Sequence, residues 1–487
     1  MIYLVWSLPA LVVIGAIVSG RMGALGASMC GLAASLAVAL TAAPQDYQLA
    51  DAGLSLVRGA WIGWIVVPYI LGGLLFWQIA MRTGDAILPA ATVAPEGQAA
   101  RRLLFAACFL IGPFAESATG FGVGIIGTMT LVRRLGMGPV QLLAFSLLSQ
   151  TMILWGAMGS GAIVAAALAR TDPAVLVIHT SVLVVAFNIA WLALYWRLAD
   201  RAGFKAGWRE RFSEALWLGA SLALVIAATA VFGSETAMLA AYGPVIALRY
   251  LLDERPDART LIRTARRMLP FAALIGWLAA TRLIPPVEAF LADAGRLQPF
   301  AGAPAWAPFF HAGTWLIVAA VLTGLLRGRA GAFAADLGTA WKTGRLAVLS
   351  IFTFSAIAEI LSGSGIASGL AGGLFQAFGG VAVVLLPLVS AVYGALANSS
   401  NAANGLFMTA QVSLATEAGL DLPAAIALQH AAALSLNMVS PVRISIACSL
   451  AGTPGRERDA YGAMLPFALT TVAVLFGAAV VVAMGWT

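Results

Sequence analysis

Charged residues make up only 10% of this 487-residue chain, against 61% hydrophobic. That scarcity excludes a soluble globular protein, in which about a quarter of residues carry charge. Mean hydropathy is +0.93. Cysteine is scarcer still: Cys30, Cys108 and Cys448 stand in apolar surroundings without metal or redox spacing, which excludes a disulfide scaffold and leaves them as core residues. His179, His311 and His430 are too far apart to form a metal motif. No Walker sequence occurs, so ATP drives nothing within this chain. Gly122, Gly124 and Gly127 satisfy GxGxxG, but no strand precedes them, and the dinucleotide reading falls. The amino terminus lacks a basic residue before its first apolar run and is expected to be a first helix, not a signal peptide.

What is present is apolar sequence in long runs. At roughly 20 residues per crossing, and with room for loops, the length allows about 12 transmembrane helices. That excludes a single-anchor enzyme. The 51 glycines, with many alanines, let membrane helices approach closely and point to a polytopic transporter or channel. The net charge of +7 is read as Lys and Arg gathered in cytoplasmic loops, and nucleic acid is excluded as a partner.

Helices are expected near residues 3–19, 23–42 and 57–81. Asp46 and Asp51 place the second loop outside, so Arg21 and Arg82 fall inside. The stretch 103–132 begins after Arg101 and Arg102 and ends at Arg133 and Arg134, so both flanks are cytoplasmic. A segment of about thirty residues with both ends on one side enters and returns, and the run GPFAESATGFGVG, Gly112 to Gly124, supplies the breakers. A re-entrant hairpin is inferred. Because non-helical backbone at membrane depth must be buried in protein or line a wet cavity, its tip is a candidate site.

A broken span follows Pro139, interrupted around Gly156 to Gly161, and a helix over 174–196 returns to the basic loop at Arg197–Arg211. Further helices are expected near 213–232, 235–250, 268–285 and 305–326, with Arg249–Arg267 and Arg327, Arg329, Lys342 and Arg345 inside. A span near 346–361 precedes a second hairpin at 380–416, bounded outside by Glu417 and Asp421. A second broken span is interrupted at NMVSPVR, and a last helix covers 460–484. The chain thus divides into an N-terminal helix pair (1–56), a first repeat (57–212), connecting helices (213–340) and a second repeat (341–487). The opening spans run in opposite directions, which makes the repeats inverted, an architecture of secondary transporters. The fold expected is all-α, polytopic and membrane-embedded, with two opposed re-entrant hairpins.

Glu116 lies within the first hairpin. A carboxylate at that depth is costly and is by default functional, protonated or paired. Ser117, Thr119 and the backbone around Gly120 and Gly122 offer hydrogen bonds to an anion, while Phe121 suits packing or substrate contact. In the second hairpin, NSSNAAN (Asn398 to Asn404) groups Ser399, Ser400, Asn401 and Asn404 at a break. Its glycosylation sequon is a false match in a buried run. Gln411 suits lining or a helix-helix bond. Arg443, after Ser440 and Pro441, suits a counter-ion for an anionic substrate, an internal salt bridge, with Glu116 as one partner, or a place nearer the cytoplasmic mouth. His430 suits a proton relay or packing. Glu359 is left open. Gln150 and Thr151 precede the first break as lining groups.

Three segments resemble the L-lactate permease family. AESATGFG (Ala115 to Gly122) is similar to its Glu-Gly-x-x-Gly-Phe-Gly segment, and SSNAANGLF (Ser399 to Phe407) to its Gly-Ser-Asn-Thr-Ser-Ser-Asn-x-Leu-Phe segment. NMVSPVRISIAC (Asn437 to Cys448) resembles Lys-Met-Ile-Ser-Pro-x-x-Ile-Ala-Ile-Ala-Cys. The resemblance covers most of the chain. It departs at Asn437, where the family has lysine, and at the added cation Arg443. It departs also near Gly124, where the family has proline, at Gln150 for asparagine, and at Asn401, Ala402 and Ala403 for Thr-Ser-Ser.

The resemblance implies proton-coupled uptake of small 2-hydroxy monocarboxylates such as lactate and glycolate across a bacterial inner membrane. It also implies kinship with the ion-transporter superfamily, whose members often form homodimers. The lipid bilayer and a small carboxylate are the expected partners. No cofactor and no enzymatic step are expected. The coupling ion expected is H+, with sodium as the alternative, and an anion channel is the rival class. In this reading Arg443, Ser399, Asn401 and Asn404 hold the anion and Glu116 binds the proton.

Overall fold

The computed structural model describes residues 1–81, 95–120, 122–328 and 330–485. Arg82, Phe121 and Arg329, which enter the reading above, lie outside them. The described residues form an all-helical, polytopic membrane protein, whose one β feature is a bridge between Leu297 and Trp306. Among the described residues nine helices are long and apolar enough to cross a membrane, or ten with one bent pair.

The chain opens with α1 (Ile2–Val18) and α2 (Ala24–Ala42), followed by the long α3 (Leu49–Met81). The first hairpin is α4 (Gly97–Ala106), a π-helical turn over Ala107–Ile111, α5 (Gly112–Thr119) and the returning α6 (Val123–Val132). The first broken span is α7 (Pro139–Leu147), two 3-10 turns (Leu148–Gln150 and Ile153–Gly159) and α8 (Ser160–Ala169). Next come α9 (Pro173–Arg201), α10 (Trp208–Phe232), α11 (Ser234–Glu254) and α12 (Ala258–Leu283). The short α13 (Pro285–Asp293) is bent from α12 by 91°, and α14 (Ala312–Leu326) follows.

The second half has α15 (Phe333–Gly363), α16 (Ile366–Phe378), a hairpin of α17 (Gly380–Ala397) and α18 (Ser400–Glu417), and a second broken span. That span is α19 (Leu422–Ser435), a 3-10 turn (Asn437–Val439) and α20 (Pro441–Ala451). The last helix is α21 (Glu457–Ala483).

Local chemistry sets the starts. Asp172 accepts from the amides of Ala174 and Val175 ahead of Pro173 at α9, and Asp421 accepts from Ala424 ahead of Pro423 at α19. Both use an acidic N-cap before a proline that forfeits only an amide no helix would satisfy.

α3 and α15 pack antiparallel. A Cβ on Gly59 would lie 2.5 Å from the Ala356 backbone and one on Gly63 2.7 Å from the Phe352 ring, while Gly344 faces Leu71 and Leu74. The two positions sum to a near-constant value along the pair, as antiparallel packing requires. Small residues permit this approach without a hydrophobic drive between membrane helices.

Both hairpins fold back on themselves. Thr128 Oγ1 donates to Ala107 O at 3.0 Å, and Gly124 lies so near Gly112 O that a Cβ would stand 2.6 Å away. In the second hairpin the rings of Tyr393 and Phe407 meet edge to face at 5.7 Å. At the base of the first hairpin Arg101 forms a fork with Glu214, Nε to Oε1 at 2.6 Å and Nη2 to Oε2 at 2.9 Å. Arg101 also donates to Phe204 O and stands over the Tyr195 ring. The pair is buried and ties α4 to α9 and α10.

Several boundaries differ from the sequence reading. α3 starts at Leu49, because Asp51 accepts from the Gln48 amide and closes a first turn ahead of the apolar run. The first interruption covers 148–159 and so begins earlier than Gly156. α15 starts at Phe333 instead of 346, and α16 occupies what reads as a linker. α12 starts at Ala258, ten residues before the apolar run, capped by Asp257.

Candidate functional site

Four helix breaks meet at Arg443. This residue stands in the first turn of α20, just past the Asn437–Val439 turn. Its Nη1 donates to Glu116 Oε1 at 2.9 Å, Nη1 also bonds Gln150 Oε1, and Nε donates to Asn398 Oδ1 at 2.9 Å. Glu116 belongs to the arm of the first hairpin that ends at its tip, Gln150 to the first broken span, and Asn398 to the tip of the second hairpin.

The carboxylate of Glu116 is held from its own tip. Gly122 N–H donates to Oε1 at 3.3 Å and Gly124 N–H to Oε2 at 3.0 Å. Those amides are free because the chain reverses there, with Gly120 at φ +72° and Gly122 at φ +81°, where an L side chain is strained. Side-chain exposure is 5% for Glu116 and 12% for Arg443. Two charges are retained at that depth only when paired and hydrogen-bonded, and this pair is both.

Both tips contact the first broken span. Gly161, at the start of α8, would place a Cβ 2.7 Å from Ser400 Oγ in the second tip. Gly120 of the first tip would place one 3.0 Å from Ala157 Cβ in the first break. Ala157 (φ +45°) and Met158 (φ +55°) are left-handed, a conformation that costs about 1–2 kcal/mol per residue. The first break is thus a strained turn wedged against the first tip.

The other residues singled out in the sequence occupy different positions. Ser117 Oγ donates to Phe114 O, and Thr119 Oγ1 to Ala115 O, so both bond their own helix. Ser399 Oγ caps α18 by accepting from the Ala402 amide. Asn404 Nδ2 and His430 Nδ1 lie 3.1 Å apart and join α18 to α19. That pair is separate from the four-residue node. Thr151 Oγ1, Asn401 Oδ1, Asn404 Oδ1, His430 Nε2, Asn437 Oδ1, Ser440 Oγ and both amide atoms of Gln411 are buried without a hydrogen-bond partner among the described residues. Most buried polar groups in proteins are bonded, and these eight atoms lie on the second hairpin, α19 and the two breaks.

Asn398 is the member of the node to which the sequence assigns no role, naming it only as the first residue of NSSNAAN and of its sequon. Its signal was conformational: it ends α17 at φ +50°, the left-handed position that favours Gly or Asn. Glu359 turns away from the node. It accepts from Arg58 Nε at 3.0 Å and from Arg170 Nη2 at 2.8 and 2.9 Å, linking α3, the end of α8 and α15.

Chemically, the node is one guanidinium, one carboxylate and two amides at the meeting of four half-helices. Such a guanidinium matches a carboxylate in a two-bond fork.

The chain is similar to known permeases. Residues 305–484 match the family model described as L-lactate permease. The L-lactate permease of Salmonella typhi is 25% identical over 513 residues, covering 94% of this chain and 91% of that protein. The L-lactate permease of Escherichia coli K12 is 26% identical over 512 residues, with the same coverage. Glycolate permease GlcA of Escherichia coli K12 is 24% identical over 493 residues, covering 86% of this chain and 84% of its own.

Proposed function

We propose that this chain belongs to the L-lactate permease family, whose model matches residues 305–484 and two of whose named members are 25% and 26% identical to it, and that it is a secondary active transporter of small 2-hydroxy monocarboxylates, lactate and glycolate foremost, which it carries with protons across the bacterial inner membrane. The substrate class is supported by relatives that bear the names L-lactate permease and glycolate permease. The observation that carries the mechanism is the convergence of Glu116, Gln150, Asn398 and Arg443.

Charge balance at the node explains coupling. With Glu116 ionised, Arg443 is neutralised internally, and a second carboxylate would add an unpaired buried anion. With Glu116 protonated and no substrate bound, the guanidinium would be a buried unpaired cation. Both mixed states are costly. Two states remain: the internal pair, or a protonated Glu116 with the substrate carboxylate on Arg443. One proton and one monoanion therefore load together, and the load is neutral. A bare anion would instead move against an inside-negative potential of about 2.3 kcal/mol per 100 mV.

In this reading the hairpins are re-entrant and the two repeats inverted, which the antiparallel packing of α3 on α15 supports. Alternating access then follows from moving one unit past another. Uptake of labelled lactate and glycolate into proteoliposomes, with pH, sodium and voltage gradients imposed one at a time, tests the proposal. Accumulation driven by pH alone is the expected result. Accumulation driven by sodium would reassign the coupling ion, and voltage-driven flux without accumulation would make the protein an anion channel.

A further inference from the structure

The residues that α12 buries are Phe271, Leu274, Leu278, Thr281 and Arg282. All lie in its carboxyl-terminal half. The preceding turns, from Ala258 to Pro270, bury nothing and are built as an amphipathic helix. Arg259, Arg263 and Arg266 are exposed, and their spacing of four and three puts them on one face. Arg255, also exposed, stands just ahead of the helix. Beside the arginines, Leu261, Ile262 and Leu269 are exposed at 41%, 54% and 62%.

Nothing in the helix itself favours these charges. Like charges at i and i+4 repel, and cations near a helix N-terminus oppose its dipole. Of the nearby carboxylates, Asp253 pairs with Arg249 and Arg102, Asp257 caps α12 by accepting from the Thr260 amide, and the exposed Glu254 forms no ion pair with a described residue. None of the four arginines forms an ion pair with a described residue. An arginine row beside exposed leucine and isoleucine is the pattern of a helix at the headgroup and acyl boundary of a membrane. A soluble polyanion would satisfy the guanidinium groups and leave Ile262 and Leu269 in water.

We propose that the amino-terminal half of α12, with Arg255, Arg259, Arg263 and Arg266, is a binding site for anionic phospholipid headgroups, the guanidinium forks holding phosphate while Ile262 and Leu269 enter the acyl boundary. This does not depend on what the protein transports.

The test reconstitutes the full chain in phosphatidylcholine bilayers and compares its association with spin-labelled phosphatidylglycerol and spin-labelled phosphatidylcholine. The wild type is expected to select the anionic lipid several-fold. R255Q/R259Q/R263Q/R266Q is expected to show no selection, and the four-lysine counterpart to keep part of it. A control with Arg197, Arg201 and Lys205 changed to Gln is expected to select as the wild type does. Absence of selection by the wild type, or equal loss in the control, overturns the site in favour of diffuse attraction by basic loops. Should the quadruple variant not fold, R259Q and R263Q each decide the matter at exposed positions: lowered selection supports the site and unchanged selection in both overturns it.

Discussion

Arg443 and Glu116, 327 residues apart in the chain, form a buried ion pair at 2.9 Å that joins the second broken span to the first hairpin. If protonation of Glu116 is what releases Arg443 to substrate, Glu116→Gln mimics the loaded state permanently. Substrate exchange should survive in this variant, because the guanidinium stays available to the carboxylate. Accumulation under an imposed pH gradient should fall toward an inside-to-outside ratio of one. Counterflow and pH-driven uptake in the same proteoliposomes check this, and intact pH-driven accumulation removes the proton from Glu116.

Replacing the cation separates charge from geometry. Arg443→Gln removes a charge-assisted pair of the kind worth about 1.5–3 kcal/mol, so apparent affinity should weaken by about 10- to 100-fold. Arg443→Lys keeps the charge and loses the fork, together with the Nε bond to Asn398, and should fall between the two. An unchanged KM for labelled lactate in Arg443→Gln would move the anion site elsewhere.

Asn398 does two things, and two substitutions divide them. Asn398→Gly keeps the left-handed turn at φ +50° and loses the bond to Arg443. Asn398→Ala loses both, and a left-handed alanine costs about 1 kcal/mol more. Both variants should raise KM to a similar degree. Only the alanine variant should also lower the apparent melting temperature of the purified protein. Equal melting temperatures would mean that the tip relaxes out of the left-handed conformation.

How much of this was legible beforehand depends on range. The second hairpin was expected at 380–416 and spans Gly380 to Glu417, because Asn398–Asn404 and Pro423 mark its turn and exit locally. The second break was read at NMVSPVR and found there for the same reason. The first break begins at Leu148, earlier than expected, because Leu148–Trp155 is apolar apart from Ser149, Gln150 and Thr151 and offers no glycine or proline to mark the change. α16 was missed because its glycines read as a linker, although their contacts are tertiary: Gly369 sits against Trp6 and Gly373 against Tyr3. The convergence on Arg443 rests on pairings 45, 293 and 327 residues apart. Sequence spacing carries no record of these. Depth alone singled out Glu116 and Arg443, and it could suggest their pairing without deciding it.

Gly124 tests whether the tip must hold the carboxylate for the pair to form. Its amide donates to Glu116 Oε2, and a Cβ there would stand 2.6 Å from Gly112 O and 2.8 Å from Glu116 Cβ. Gly124→Ala should destabilise the protein by about 1–3 kcal/mol, as overpacking does, and should push the two arms of the hairpin apart. Transport should suffer more than stability, since the same displacement carries Glu116 away from Arg443. Loss of melting temperature with normal pH-driven uptake would show that the tip is only a packing element.

The clamp at the base of the first hairpin makes the opposite prediction, because Arg101 and Glu214 lie away from the node. Removing one partner strands a buried charge, so Arg101→Met or Glu214→Leu alone should cost about 3–5 kcal/mol. The double variant removes both charges and fills the volume with apolar groups, and it should recover most of that loss. Trp196 Nε1, which donates to Glu214 Oε2 at 2.7 Å, and the carbonyl of Phe204 would lose their partners, and recovery should stop short of the wild type for that reason. Uptake by the double variant should retain the wild-type dependence on pH. A changed coupling ratio there, with stability restored, would show that the clamp moves during transport and is more than an anchor.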